Sequence, residues 1–384
     1  MDASTPLTNT DIVRTGFADC RAADAVAQLV EALGTDPLSL VILFVSPQTD
    51  LPAFVTSVER HFSGTQVVGC TTAGELGETG YSENDIVAIG LPAAHFGVRC
   101  LFIDDLHDIR AQDRITTMIH NRNELAKDHP RWASEFAFLM VDGLSTREDA
   151  LAADLAMGLG PVPLFGGSAG DGEAFGKTHV FFDGAFHSNA AVLIQARTNC
   201  PVHVFKVDHL QPTTRRMVVT GADPAKRLVQ EINAEPAARE YARLLGKDPE
   251  QLSTFTFAAH PVVVRIGDQT HVRSIQKVAD NGDLVFFSAI DEGVVLTLAE
   301  PDDMVAHLDR ELATLSKQRP PAMILGCDCL LRRVEATQKQ ITGDISRVLA
   351  KHRVVGFSTY GEQVNSMHVN QTFTGVAIYP PQDR

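Results

Sequence analysis

A nine-residue segment occurs twice in this 384-residue chain, once in each half. Residues 67–75 read Val-Val-Gly-Cys-Thr-Thr-Ala-Gly-Glu and residues 354–362 read Val-Val-Gly-Phe-Ser-Thr-Tyr-Gly-Glu, so six of the nine positions are identical. An apolar run and a helical pattern precede both copies, and a Val-Ala-Ile run follows both. Because a repeated sequence indicates a repeated structural unit, each half contains a unit of the form strand–helix–strand–glycine loop–strand.

A third, more divergent copy lies between them. Residues 136–141 have an apolar strand pattern, and Ser145 with Glu148 has the spacing of a capping box that begins a helix. Residues 164–171, which include three glycines, take the place of the glycine loop, and residues 190–195 form the strand that follows. The alternation of strands with helices predicts an α/β fold in which mixed β-sheets are flanked by helices.

The chain is long enough for two domains, since one domain usually has roughly 100–200 residues. Residues 212–223 separate two regions of different pattern, which places the domains at residues 1–218 and 219–384. Beyond this segment the sequence predicts two helices and then three strands, at residues 224–233, 236–245, 254–266, 272–278 and 284–288.

Composition argues against several classes of function. Thirty-three basic and 48 acidic residues give a net charge of −15, and an acidic surface repels nucleic acids and anionic membranes. No apolar run reaches the roughly 20 residues that a membrane-spanning helix needs, and the polar N-terminus does not resemble a secretory signal. Six scattered cysteines are typical of a reduced protein, so we expect a cytoplasmic location.

The glycine loops are the candidate ligand sites, because ligands bind at the carboxyl ends of strands in open α/β sheets. Glycine also lets a ligand approach backbone N–H groups closely. The alternative is that the glycines only turn the chain and that Glu75 and Glu362 are solvated. The candidate ligand-binding residues in the three loops are Cys70, Thr71, Gly74, Glu75, Gly166, Gly167, Ser168, Asp171, Tyr360 and Glu362.

A second cluster lies around residues 326–333, where two adjacent arginines follow an apolar strand. Arg332 or Arg333, together with Asp328 and Asn370, has the groups needed to bind the carboxylate and the amine of one small ligand. Glu362, from the nearby glycine loop, belongs to the same candidate set. The alternative interpretation is an ordinary structural ion pair.

The same segment contains Cys327 and Cys329, whose sulfurs point to one face of a strand. Such a pair suits a soft metal only when further ligands join it, and no zinc-ligand motif follows. Buried core thiols are therefore the favoured interpretation. The pair is compatible with reduced, bridged and metal-bound states.

The search for catalytic motifs favours a protein that is not an enzyme. Cys70 and Ser168 are the best-placed nucleophiles, but no histidine stands at a motif spacing from either of them. Phe357 replaces Cys70 in the other copy of the loop, so the loop does not require a thiol. Catalysis by a thiolate at Cys70 or Cys329 is the minority alternative.

Haem is a candidate cofactor. The chain has no Cys-x-x-Cys-His motif, so haem would be held without a covalent bond. Among the fourteen histidines, His203 and His260 are the candidate axial ligands, because both lie on strand-like stretches. A structural role is the alternative for either residue.

Taken in order, these motifs resemble those of the FIST family. Residues 68–75 and 165–171 are similar to its N-terminal domain, and residues 327–333, 356–362 and 370–372 to its C-terminal domain. The two predicted domains thus correspond to a FIST N-like sensory domain and a FIST C-like domain. The resemblance implies a sensory module that binds a small ligand and passes the signal to another protein.

The resemblance leaves two alternatives for the ligand. Some stand-alone FIST proteins are nitric-oxide-sensing haemoproteins that act on a histidine kinase or a cyclic-di-GMP enzyme, and others bind amino acids or similar metabolites. This chain shows no motif of a fused signalling domain, so it resembles the stand-alone members and requires a separate output partner. We expect either a haem-dependent nitric oxide sensor or a cofactor-free binding protein for an amino-acid-like metabolite.

Overall fold

The computed structural model describes residues 12–108, 110–266 and 269–381, and its strands fall in three regions of the chain. The N-terminal region contains β1 (Arg14–Asp19), β2 (Leu38–Val45), β3 (Val67–Thr71), β4 (Glu75–Gly77), β5 (Gly80–Ser82), β6 (Asp85–Pro92), β7 (Phe96–Ile103), β8 (Ser134–Val141), β9 (Leu164–Ser168), β10 (Val180–Phe182), β11 (Ala185–His187), β12 (Ala191–Thr198) and β13 (Val202–Val207). The middle region contains β14 (Leu210–Asp223), β15 (Leu228–Ile232), β16 (Glu235–Pro236), β17 (Val262–Ile266), β18 (Gln269–Arg273), β19 (Ile275–Val278), β20 (Leu284–Phe286) and β21 (Val295–Pro301). The C-terminal region contains β22 (Met323–Cys329), β23 (Val354–Thr359), β24 (Glu362–Val364), β25 (Met367–Val369) and β26 (Phe373–Ile378).

The α-helices of the described residues lie between these strands. They are α1 (Ala25–Leu33), α2 (Leu51–His61), α3 (Ala111–Asp128), α4 (Glu148–Leu159), α5 (Ala237–Leu245), α6 (Thr254–Ala259), α7 (Met304–Leu315), α8 (Leu330–Gln338) and α9 (Thr342–Lys351). None of these helices combines the length and the apolar character needed to span a membrane.

Three similar units form the main body, as the sequence repeat predicts. Unit A runs from β2 to β6, unit B from β8 to β12 and unit C from β22 to β26. In each unit the first strand pairs in parallel with the second, and the last strand pairs antiparallel with the first. The first strands are continuous apolar runs because both of their faces are buried. The predicted α/β class with mixed sheets flanked by helices is confirmed.

The units exchange their hairpins in a closed cycle. The hairpin β4–β5 of unit A pairs with β23 of unit C, and the hairpin β24–β25 of unit C pairs with β9 of unit B. The hairpin β10–β11 of unit B then pairs with β3 of unit A. Because every unit completes the sheet of another, the three glycine loops are drawn together at one place.

One aromatic core lies between the three sheets. Phe44 of β2, Phe138 of β8 and Phe357 of β23 are fully buried in it. The rings of Phe44 and Phe357 stack with their centroids 4.4 Å apart, and those of Phe138 and Phe165 with theirs 4.8 Å apart. Each unit contributes large rings to this core, so apolar burial holds the three units in a fixed arrangement.

The middle region forms its own eight-stranded sheet, in the order β18-β17-β21-β14-β15-β20-β19 with β16 beside β15. Tyr241, Phe257 and Phe286 lie in the core under this sheet. Helix α6 packs against α8 of unit C, and Phe287 joins Tyr360 in one apolar cluster. The middle region therefore covers the glycine loop of unit C. The predicted domain boundary at residues 218 and 219 falls within β14 and stays a prediction.

Two local predictions in the middle region are wrong. The predicted strand at residues 254–266 is helix α6 followed by β17, because Ser253 caps the helix and Pro261 disfavours helix at the residue before it. The predicted helix at residues 224–233 is one 3₁₀ turn followed by β15. Arg227 has a φ of 56°, which ends the turn after Pro224–Lys226.

The predicted capping box in unit B is also wrong. Helix α4 begins at Glu148, and the hydroxyl of Ser145 accepts a hydrogen bond from the N–H of Arg147 instead (3.3 Å). Glu148 forms a buried ion pair with Arg227 of the middle region (2.5 Å). The glutamate thus binds a distant arginine rather than its own helix terminus.

Candidate functional site

The three glycine loops meet where the sheets join. We define loop A as residues 71–75, loop B as residues 168–172 and loop C as residues 358–362. Backbone hydrogen bonds tie each loop to the next: the Ala73 N–H donates to the Ser358 carbonyl (2.9 Å), the Tyr360 N–H to the Ser168 carbonyl (3.2 Å) and the Gly170 N–H to the Thr71 carbonyl (3.0 Å). The loops therefore form a closed ring. Thr71 and Ser168 take part in it through their backbone carbonyls, which accept two of these hydrogen bonds.

A cavity of about 350 Å³ opens beside loop A, and residues from all three units line it. We call it the loop A cavity. Its lining residues are Ser46, Pro47, Gln48, Ala73, Gly74, Glu75, Glu83, Asn84, Gly172, Glu173, Leu330, Arg333, Val334 and Thr337. Small-molecule sites usually measure roughly 300–1,000 Å³, so this cavity suits a ligand at the small end of that range.

Glu75 is a buried carboxyl group at the wall of the loop A cavity. Its Oε1 accepts a hydrogen bond from the Thr72 hydroxyl (2.5 Å), and its Oε2 accepts one from the Asp85 N–H (3.4 Å). Burial raises the pKa of Glu75 to about 7, although the Thr72 hydroxyl and the Arg333 charge act in the opposite direction. Near neutral pH this group can therefore gain or lose a proton.

Arg333 brings a cation to the same cavity, with a side chain that is 10% exposed. Its Nη2 donates to the Ser82 carbonyl (2.9 Å) and to Glu83 (3.2 Å). Its Nη1 has no hydrogen-bond partner among the described residues. Loop A must have glycine at position 74, because Gly74 has a φ of 127° and a Cβ there would clash with Nη1.

Tyr81 connects this cavity to the buried interior of unit C. Its hydroxyl donates to Asp328, and the guanidinium carbon of Arg333 lies 5.1 Å from the centre of its ring. Burial raises the pKa of Tyr81, so the hydroxyl keeps its proton and remains a donor. The ring holds Arg333 in place by a cation–π contact.

Loop C contains the counterpart of Glu75 in a closed environment. Glu362 accepts hydrogen bonds from the hydroxyls of Thr359 and Thr372 and from the Thr372 N–H (3.2 Å). Burial raises the pKa of Glu362 to about 8. Asn370 is also fully buried, and among the described residues neither of its side-chain polar atoms has a partner. Neither residue lines the loop A cavity.

Comparison with known protein families identifies both halves of the chain. The FIST N domain matches residues 39–235 and the FIST C domain matches residues 237–365. The chain belongs to the FIST family. FIST domains are sensory domains of signal transduction that bind small ligands. No curated protein matches the chain.

In this FIST protein the two adjacent arginines of α8 have different surroundings. Arg332 is buried, and its Nε donates to Asp328 (2.7 Å) while its Nη1 donates to Nδ1 of His209 (2.9 Å). His209 then donates from Nε2 to Glu335 (3.1 Å), which also binds Lys339 (2.6 Å). Burial lowers the pKa of His209, in keeping with a neutral ring. Arg332 and Asp328 thus belong to an internal network, whereas Arg333 faces the cavity.

Loop B is held in place by the hydrogen bonds that Asp171 accepts. Asp171 accepts hydrogen bonds from the N–H groups of Gly176 (2.8 Å) and Lys177 (2.7 Å), and Tyr360 of loop C donates its hydroxyl to the same carboxylate. Gly166 and Gly167 precede the loop in β9, where a Cβ would clash with the neighbouring strands. These predicted ligand-binding residues lie in or next to the ring of loops and do not line the loop A cavity.

Three cysteines of the two FIST domains lie in the protein interior. Cys70, Cys327 and Cys329 are buried and free, and burial raises the pKa of each thiol well above its ordinary value. Among the described residues no group of three or more side chains has the arrangement of a metal site. Burial therefore favours the protonated form of each thiol, which is a poor nucleophile.

The two histidines predicted as haem ligands do not line the loop A cavity. His203 is exposed on β13, and His260 is half-buried after α6, where burial lowers its pKa. Neither lines any of the four principal cavities in the described part of the chain. Their surroundings do not fit an axial ligand of haem, and haem binding by this FIST protein stays a prediction.

Several residues that line the cavity were not predicted from the sequence, above all Glu83 and Glu173. Glu83 follows Glu75 by eight residues, as Asn370 follows Glu362, so an alignment of the two copies beyond the glycine loop would have found it. Glu173 lies in the divergent copy and has no such signal. The internal network around His209 also has no signal in the sequence, because His209 lies 123 residues before Arg332.

Proposed function

We propose that this FIST protein is a non-enzymatic sensor that binds an amino-acid-like metabolite in the loop A cavity. The observation that carries the proposal is the unpartnered Nη1 of Arg333, a nearly buried cation at the wall of a small cavity. A buried donor without a partner costs free energy, and an anionic group of a ligand would remove that cost.

The remaining lining residues define the rest of the ligand. Glu75, Glu83 and Glu173 bring three carboxyl groups to the same cavity, which suits an ammonium group. Leu330 and Val334 provide an apolar wall for a short side chain. A carboxylate on Arg333 and an ammonium on the carboxyl groups of the same cavity are the two ends of an α-amino acid or a close analogue.

The position of the cavity supports a role in signalling. Loops A and B and helix α8 come from three different units, so a ligand that contacts all of them changes the free energy of their arrangement. Helix α8 also contacts α6 of the middle region. We propose that ligand binding shifts α8 relative to the middle region, and that a separate protein, such as a histidine kinase or a cyclic-di-GMP enzyme, reads this change.

Thermal unfolding with a panel of small ligands tests the proposal. The panel contains the common amino acids, amines that lack the carboxylate and carboxylates that lack the amine. A ligand at 100 times its Kd stabilises the folded state by about 2.7 kcal/mol, which is readily measured as a rise in Tm. We expect a subset of amino acids to raise Tm, and each half-ligand to have a much smaller effect.

The variant Arg333→Met removes the cation and keeps a side chain of similar length. We expect it to weaken binding about 100-fold, because a hydrogen-bonded ion pair contributes about 3 kcal/mol. Arg347→Met on the exposed face of α9 is the matched control and leaves binding unchanged. Equal binding by the Arg333→Met variant, or stabilisation by no amino acid, contradicts the proposal. Saturable one-to-one binding of haemin instead would favour the haem alternative.

A further inference from the structure

A cleft opens in the middle region, which lies between loops B and C in the chain. Among the described residues, strands β17 and β21 pair antiparallel at two positions, Val262 with Leu298 and Val263 with Thr297. Beyond the second pair the two strands separate, and a cavity of about 700 Å³ lies where the next pairs would stand. We call this cavity the β17–β21 cleft.

Both walls of the β17–β21 cleft are strand edges. On one side, residues 264–266 of β17 pair with β18 on the far side of the strand and, among the described residues, with no other strand. On the other side β21 begins at Val295 and pairs with β14, on its far side. Within the described residues, the edges that face the cleft belong to no β-ladder. Strand edges of this kind pair readily with another extended chain.

The side chains of the cleft indicate the character of that chain. Ile266 and Val295 line it and are 54% and 46% exposed, which is high for such apolar residues. Among the described residues that line it, Arg216, Arg265 and Arg273 are basic and Asp291 is acidic. This excess of positive charge stands out in a chain whose net charge is −15.

We propose that the β17–β21 cleft binds an extended acidic segment of a partner protein by strand addition. The segment's backbone pairs with the open edges of β17 and β21. Its carboxylates meet the arginines, and its apolar side chains cover Ile266 and Val295. The proposal does not depend on the ligand of the loop A cavity.

Fluorescence anisotropy of a labelled peptide tests this proposal with the full chain. The probe is a ten-residue peptide of alternating glutamate and valine, and the comparison peptide alternates lysine and valine. We expect saturable binding of the glutamate peptide and none of the lysine peptide. Methylation of alternate backbone nitrogens in the glutamate peptide should weaken binding at least tenfold, because it blocks the strand ladder and keeps the charge.

Two variants locate the binding site. Arg265→Glu reverses one charge in the cleft and should weaken binding of the glutamate peptide at least tenfold. Arg60→Glu makes the same change on the exposed face of α2 and should leave binding unchanged. If the Arg265→Glu variant fails to fold, as judged by its Tm, Arg216→Gln replaces it, since Arg216 is an exposed residue of β14 that also lines the cleft.

Four outcomes would overturn the proposal. The first is the absence of saturable binding of the glutamate peptide, and the second is equal binding by the Arg265→Glu and Arg60→Glu variants. The third is equal binding of the methylated peptide, which would show attraction between charges without strand addition. The fourth is a dimer in sedimentation experiments that Arg265→Glu abolishes, which would make a second copy of the chain the occupant.

Discussion

Loops A and C show how one repeated sequence can serve two purposes. In both loops a threonine hydroxyl binds the glutamate three residues later, and the N–H ten residues after that glutamate reaches its other oxygen. The residues are Thr72, Glu75 and Asp85 in loop A, and Thr359, Glu362 and Thr372 in loop C. The local structure is therefore the same, and in both loops these hydrogen bonds stabilise the fold.

The difference between the two loops lies in their neighbours. Beside Gly74 stands Arg333, next to an open cavity. Beside Gly361 stand His368 and Asn370, both buried below the middle region. The comparison indicates that the repeat builds the scaffold and that distant residues decide which loop can bind a ligand.

The largest expected difference between the two loops is the loss of stability when the glutamate of each loop is removed. We expect Glu362→Ala to lower the free energy of unfolding by about 3 kcal/mol, because Thr359 and Thr372 then lose a buried acceptor. Glu75→Ala should cost about 1 kcal/mol, because water in the loop A cavity can replace the carboxylate. Urea unfolding of both variants measures the difference, and equal losses would show that the two loops are equivalent.

Substitution of Gly74 should change the affinity for the ligand, whereas substitution of Gly361 should change the stability of the fold. A Cβ at position 74 displaces Arg333, so Gly74→Ala should weaken ligand binding about thirtyfold, which corresponds to about 2 kcal/mol. A Cβ at position 361 displaces His368 and Asn370, so Gly361→Ala should lower Tm and leave the affinity of the folded protein unchanged. Calorimetric titration of both variants tests this, and a loss of affinity in Gly361→Ala alone would reverse the assignment.

The pH dependence of binding is the smallest expected effect. Glu75, with a pKa of about 7, is mostly protonated at pH 6 and mostly ionised at pH 8. Because a ligand ammonium group binds the ionised form, affinity should rise about tenfold from pH 6 to pH 8. Glu75→Gln should remove this rise. Glu362→Gln should retain it, because Glu362 does not line the cavity, and a rise lost in that variant instead would point to loop C.

The repeat made much of the fold predictable. The apolar runs and glycine loops around residues 67–75 and 354–362 predicted strand, helix and loop correctly in both copies. The exchange of hairpins could not be predicted from the sequence. Strands of three residues, such as β4 and β24, are too short for their hydrophobic pattern to indicate a partner strand. In the middle region, β-branched and aromatic residues at 254–259 favoured a strand, but the cap at Ser253 and contacts with α8 favour a helix.

The candidate site was predictable only in part. Gly74, Glu75 and Arg333 were named from the sequence and line the cavity. Arg332 was named with them but points into the interior, because successive residues on a helix differ in direction by about 100°. Which arginine faces the ligand depends on how α8 packs, and that is set by contacts more than a hundred residues apart.

A crystal structure of the chain with the amino acid that raises Tm most tests the central claim directly. The account predicts density for the ligand in the loop A cavity, with its carboxylate on Arg333 and its ammonium group towards Glu75. Density beside Gly361 and Asn370, or anywhere outside the loop A cavity, would contradict it.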